Sequence, residues 1–233
     1  MKIKELSAYQ NNEISALLGN IPFFKELQAR GQEQLAVLLR YSCLVELEAG
    51  ETIMRRGDRG SWLYFLIKGR LSVYLDEAEQ TGPLNSITPG ELFGDLALLC
   101  NHERKATVAA EQGSGSNNRK NKKNKKCLLF ATDFKPFGDL TNYGVIDLQT
   151  KIVFYRTMVH SIRWRLEMNR MDYPKHPLVA ELMQVPTYTG EKGVEAELQS
   201  LFSQAQYLAS VLNSWNSEGV AMQDVIVVSP AHS

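Results

Sequence analysis

The sequence predicts an α+β fold: a sandwich or barrel of short strands set between helices, then one long helix and a helical extension. Three observations predict it. Between Cys43 and Asp133, β-rich runs with period-two alternation are broken by glycines. From about Val145 to Met171 the period becomes helical and holds. Beyond Pro177 a second amphipathic helical stretch follows.

The elements follow in order. Residues 1–18 are mixed and end in helix-forming EISALL. NIPFFKELQARGQEQLAVLLRYS reads as helical, with Pro22 able to open a helical turn and Leu35, Leu38 and Leu39 at helical spacing. The strand region is punctuated at Gly50, Gly57, Gly60, Gly69 and Gly82. In FLIKGRLSVYL, Leu71, Val73 and Leu75 share one face, and Arg70, Ser72 and Tyr74 the other. A turn is expected at Pro89-Gly90, and ATVAAEQ and CLLFATDF read as strands. The tract 113–126 between them has no apolar residue and reads as a surface loop, the lengthened connection of a hairpin.

In the long helix, Leu148, Ile152, Tyr155, Val159, Ile162 and Leu166 step by 4, 3, 4, 3 and 4 residues. That heptad seam fits a helix lying on its own sheet, or one paired with its copy in a second chain. Pro174 and Pro177 end the helix, HPLVAELMQV reads as a short one, and VEAELQSLFSQAQYLASVLNSW as a strongly amphipathic one. The tail DVIVVSPAHS holds one short apolar run, expected to add a strand or pack locally. The expected organisation is a helical segment 1–17, a roll 18–144 with the basic insertion 113–126, a long helix 145–173, and a helical extension 174–233.

Charge and composition exclude several functions. Basic and acidic residues both number 26, which argues against a general nucleic-acid binder. Six of the basic residues sit in RKNKKNKK, residues 119–126, which carries no acid. A solvated loop is the ordinary reading of that run; an acidic partner, a nucleic acid or a membrane surface is the alternative. Three cysteines without a CxxC pair point to a reducing compartment rather than to disulfides or zinc. The N-terminus lacks a signal-peptide core, and no run approaches the roughly 18 apolar residues of a membrane span. His102, His160, His176 and His232 are scattered, and no nucleophile elbow occurs. A cytoplasmic protein that is not an enzyme is expected, with no cofactor and no metal.

The stretch FGDLALLCNHERKATV, residues 93–108, carries the chemistry. A helical turn after Gly94 presents backbone N–H groups to an anion, and Arg104 can grip the same anion with its planar fork. A carboxylate at the mouth, Asp95, can accept from hydroxyls. Together these suit a cyclic phosphate on a sugar. The plainer alternatives are a surface charge for Arg104 and a helix cap for Asp95.

This stretch resembles the phosphate-binding cassette of the cyclic nucleotide-binding domain family, to which catabolite activator protein and the regulatory subunits of cAMP-dependent protein kinase belong. The glycine-punctuated LEAGETIMRRGDRGSWLYFLIKGRLSVYL and the preceding NIPFFKEL extend the resemblance over about residues 18–172. It implies a jelly-roll-like β-roll, and a site of Phe93, Gly94, Asp95, Leu96, Ala97, Arg104, Lys105 and Ala106. Gly94 would approach the ribose, Asp95 would stand where the family's Glu binds the 2′-hydroxyl, Leu96 and Ala97 would offer N–H groups, and Arg104 would pair with the phosphate. From the helix after the roll, Asn169 and Arg170 would meet the base. Two departures stand out: Asp95 is a methylene shorter than Glu, and Lys105 replaces a small residue.

The resemblance implies a bacterial receptor for cAMP or cGMP that signals through helix 145–171 and the extension to a protein partner, and the heptad seam leads us to expect a homodimer through that helix. An interaction scaffold that keeps the fold without the ligand is the alternative. DNA binding is the weakest reading, because residues 174–233 do not read as a helix-turn-helix.

Overall fold

The computed structural model describes residues 1–6, 9, 11–75, 83–100, 103–112 and 126–226. Most of the basic tract and the tail beyond Ile226 lie outside these residues. The chain begins with a strand, β1 (Lys2–Glu5), where the sequence led us to expect only a helical segment. β1 pairs antiparallel with β2 (Ser42–Leu47), and Lys4 Nζ meets Glu46 Oε1 at 2.6 Å. Four residues are too few for a period to be read, and the free edge of β2 completes the pairing. Next come α1 (Asn11–Leu18), α2 (Pro22–Arg30) and α3 (Gln32–Leu39). Pro22 sits in the first turn of α2, and Gly31, at φ 131°, breaks α2 from α3.

The roll follows as β3 (Thr52–Met54), β4 (Trp62–Lys68), β5 (Leu71–Tyr74), β6 (Asn85–Ile87), β7 (Leu92–Phe93), α4 (Asp95–Leu99), β8 (Thr107–Ala110) and β9 (Cys127–Asp133). One sheet has the order β1-β2-β9-β4-β7, the other β3-β8-β5-β6. β4, WLYFLIK, departs from the expected alternation and is apolar along most of its length. Tyr64 and Leu66 pack between the sheets with Leu129 and Ala131, while Leu63 and Phe65 pack on the helical side with Phe130. Both faces are covered, so strict alternation is lost. β8 and β9 correct the expected hairpin: they belong to different sheets.

α5 (Lys135–Gly138), α6 (Leu148–Asp172), α7 (Leu178–Leu182) and α8 (Glu195–Ile226) complete the chain. Asp147 caps α6, its carboxylate accepting from Thr150 N–H at 2.7 Å. An aromatic cluster seats this helix. Phe154 stacks on Phe137 at 4.1 Å and meets Phe23 and Phe134 edge-on or tilted, and Phe23 in turn stacks on Phe65 of β4. Burial of Tyr155 pushes its phenol well above the usual range, and its hydroxyl donates to the Phe137 carbonyl.

The heptad seam is filled from within the chain. Ile152, Tyr155, Val159, Ile162 and Leu166 are all buried, and α8 packs along α6. Contacts run in the same order on both segments, Gln149 with Gly193, Tyr155 with Phe202 and His176 with Trp215, so α8 runs parallel to α6. α8 is longer than its amphipathic stretch, and Leu198, Leu201, Ala205, Leu208, Ala209 and Leu212 line its buried face as their spacing predicts. It also packs against α4, which brings the C-terminal extension onto the cassette.

Candidate functional site

The site begins with a turn. β7 ends at Phe93, which stacks on Tyr64 at 5.2 Å, and the chain then reverses through Gly94 at φ 85° into α4. A residue with a Cβ is strained there, and it would also meet Arg104 Nη1 at 2.8 Å and the Trp62 carbonyl oxygen at 3.1 Å. Gly60 is open for the same reason, since a Cβ there would lie 3.0 Å from Arg104 Nη2. Two glycines 34 positions apart in the sequence therefore make one slot for a guanidinium.

Arg104 fills that slot. It is 3% exposed. Nη1 donates to the Gly94 carbonyl at 3.0 Å, Nη2 donates to the Trp62 carbonyl at 2.8 Å, and the group lies 5.8 Å from the Tyr64 ring centre. Among the described residues no carboxylate stands within ion-pair distance of it. Burial lowers its pKa, while Tyr64, Asp95 and Asp58 oppose that shift from farther off. A buried cation with only carbonyl partners is costly, and an anion placed against it is correspondingly favoured. The plain reading of Arg104 as a surface strand charge is excluded by its burial.

Asp95 opens α4 and is 1% exposed. Its Oδ2 accepts from Arg165 Nη2 of α6. Leu96 is half-buried and Ala97 is buried in the α4 turn, as is Phe93 beneath it. Lys105 and Ala106 are half-buried, and the Lys105 ammonium leans to Glu103 Oε2 at 3.8 Å. The structure thus brings Gly94, Asp95 and Arg104 together. On α6, Arg170 pairs with Glu167 at 2.7 Å, and among the described residues no hydrogen bond or ion pair joins Asn169 or Arg170 to the cassette. The α6 side chain that reaches it is Arg165, one turn before Asn169 on the same helix face.

Sequence reasoning missed Arg165, the Trp62 carbonyl and Gly60. The i,i+4 spacing of Arg165 and Asn169 was the available signal for the first. Nothing local in the sequence marks a backbone carbonyl as a partner.

Residues 44–114 match the family model described as the cyclic nucleotide-binding domain. Over that stretch the chain is similar to the cyclic nucleotide-binding domain family. A cAMP-dependent protein kinase regulatory subunit of Debaryomyces hansenii is 31% identical over 113 residues, 48% of this chain and 24% of that protein. A cGMP-dependent protein kinase of Plasmodium berghei is 30% identical over 111 residues, 47% of this chain and 12% of that protein. A cAMP-dependent protein kinase type II regulatory subunit of Drosophila melanogaster is 31% identical over 108 residues, 46% of this chain and 28% of that protein. The chain spans about a quarter or less of the length of the first two relatives it matches. A bacterial source finds no support in these three. Among the described residues no helix is long and apolar enough to cross a membrane.

Proposed function

We propose that this chain is a cytoplasmic receptor for a cyclic nucleotide, cAMP or cGMP, and has no catalytic activity of its own. The observation that carries this reading is the buried Arg104 guanidinium, held on two carbonyls and, among the described residues, without a carboxylate. The ligand's cyclic phosphate, a single negative charge, supplies the missing countercharge. Gly94, Leu96, Ala97 and Phe93 shape the phosphate turn, Lys105 and Ala106 border it, and the family resemblance keeps Asn169 and Arg170 as the candidates nearest the base.

The signal leaves through α6 and α8. Asp95 ties α4 to α6 through Arg165, and α8 packs on both helices. Arg156 on α6 donates to Glu26 of α2 at 3.4 Å and to Glu197 of α8 at 3.0 Å, so α2, α6 and α8 share one polar link. A ligand that prefers one arrangement of α4 biases all three, and a protein partner reads the change on the extension. Any homodimer uses a stripe of α6 other than the filled seam. Thr157, Ser161, Trp164, Met168 and Met171 repeat the 4, 3, 4, 3 spacing on the outward face, with Trp164 60% exposed. Titration calorimetry of the wild-type chain with cAMP and cGMP tests the receptor reading. A saturable heat with at least one is expected, and no heat with either removes it.

One observation favours a scaffold instead: Asp95 is already engaged by Arg165 and almost fully buried. On that reading the chain binds a protein partner whatever the nucleotide concentration, and pull-down in the presence and absence of cAMP separates the two.

A further inference from the structure

We infer that α8 is a strap that holds the nucleotide site shut, so that ligand and strap work against each other; the inference rests on the receptor reading above. The groups that a phosphate must reach are covered. Arg104 is 3% exposed, and in α4 the side chains of Asp95, Ala97, Leu98 and Leu99 are buried. Arg104 is closed in by two carbonyls, those of Gly94 and Trp62. Trp62 is fixed in β4 by its pairing with β9, so the side that can give is Gly94, the residue that opens α4. An anion that is to reach Arg104 therefore has to shift the α4 turn. Leu98 and Leu99 show what resists that shift. Both lie in the apolar core that holds Leu208, Leu212 and Trp215 of α8, whereas Phe93, just before the turn, lies in the separate core between the sheets. α8 packs directly on α4.

The strap is fastened to helices. At its start Glu197 accepts from Gly193 N–H at 2.7 Å and from Arg156 of α6 at 3.0 Å, and Phe202 meets Tyr155 of α6 edge-on at 5.5 Å. Farther along, Trp215 stacks on His176, between α6 and α7, at 4.2 Å. These fastenings lie on α6 and on the segments flanking α7, so α8 can lift from α4 with both sheets intact. α8 also lies outside residues 44–114, the stretch that matches the family model. A site that binds only when open has its affinity reduced by the fraction of molecules that are open. Docked α8 keeps that fraction small. By linkage, the ligand loosens α8 by the same factor by which α8 weakens the ligand. What the ligand changes in the extension is then whether the apolar face of α8, with Leu198, Leu201, Leu208 and Leu212, stays covered.

The test has two readouts. The first is calorimetry with cAMP and cGMP on wild type, Phe202→Ala and Trp215→Ala, with circular dichroism verifying that each variant is folded. Each substitution removes one of the ring contacts that fasten α8. Affinity for whichever nucleotide binds should rise at least about fivefold in both. The second is hydrogen exchange of α8 in wild type, with and without saturating nucleotide, where the nucleotide should speed exchange. A folded variant that binds no more tightly than wild type overturns the inference, since α8 would then be indifferent to the site or would support it. Exchange of α8 that slows or stays the same with nucleotide also overturns it, and this readout does not depend on the variants. No heat with either nucleotide in wild type and in both variants would instead remove the receptor reading beneath it.

Discussion

Gly94→Ala tests how closely the cassette is built around Arg104. Two costs add at this position. The backbone sits at φ 85°, where a Cβ costs roughly 1–2 kcal/mol. The new methyl would also lie 2.8 Å from Arg104 Nη1 and 3.1 Å from the Trp62 oxygen. The carbonyl is backbone and cannot yield, so the guanidinium must leave, and with it go two hydrogen bonds from a charged donor. At the low end of such bonds that is about 3 kcal/mol. Gly90 is the control: it has φ 96° and nothing within 4 Å of its added Cβ, so Gly90→Ala carries the backbone cost alone. Urea denaturation of both variants should place Gly94→Ala about 3 kcal/mol below Gly90→Ala with a similar slope. Gly94→Ala should also lose nucleotide binding while Gly90→Ala keeps it. Equal destabilisation of the two, with binding retained in both, would refute the slot.

Other outcomes follow from the packing and the charge. Phe154→Ala empties the centre of the aromatic cluster beneath α6, and should cost about 3–5 kcal/mol in the same assay. Trp164→Ala, on the outward face of α6, should leave stability within about 0.5 kcal/mol of wild type; multi-angle light scattering on the same variant shows whether any dimer needs that stripe. Burial pushes the Glu197 carboxyl up, but the Gly193 N–H, Arg156 and Lys192 outweigh it and hold the pKa below its ordinary 4.5. A depressed folded value means the stabilisation is complete above pH 4.5 and is lost as pH falls through the folded value. The gap in urea midpoint between wild type and Glu197→Gln should therefore shrink below pH 4.5, and a constant gap would contradict it.

Much of this arrangement is legible in the residues. The glycines that break the strand runs, the helical period after Val145 and the spacing of Leu198, Leu201, Ala205, Leu208 and Leu212 each state a local rule that the fold obeys. Gly94 and Arg104 were named in the sequence because the cassette FGDLALLCNHERKATV sets a turn glycine and an arginine at the spacing the resemblance implies. What was not legible depends on partners distant in the chain. β1 exists because β2 has an edge to offer, and β8 and β9 part because each completes a different sheet. The seam of α6 reads equally well as an inner or an intermolecular stripe until α8 is seen to cover it. Asp95 reads as a ribose ligand or a cap, and its partner 70 positions away could be found only by folding the chain.

The central claim is that the buried Arg104 charge waits for a cyclic phosphate. Calorimetric titration of wild type and Arg104→Ala with cAMP and cGMP tests it most directly, with circular dichroism verifying that the variant is folded. The account predicts saturable binding of at least one nucleotide to wild type and a loss of roughly a hundredfold in the folded variant, the worth of a charged fork on a phosphate. Equal affinities for the two proteins, or equal and negligible heats in every titration, would contradict it.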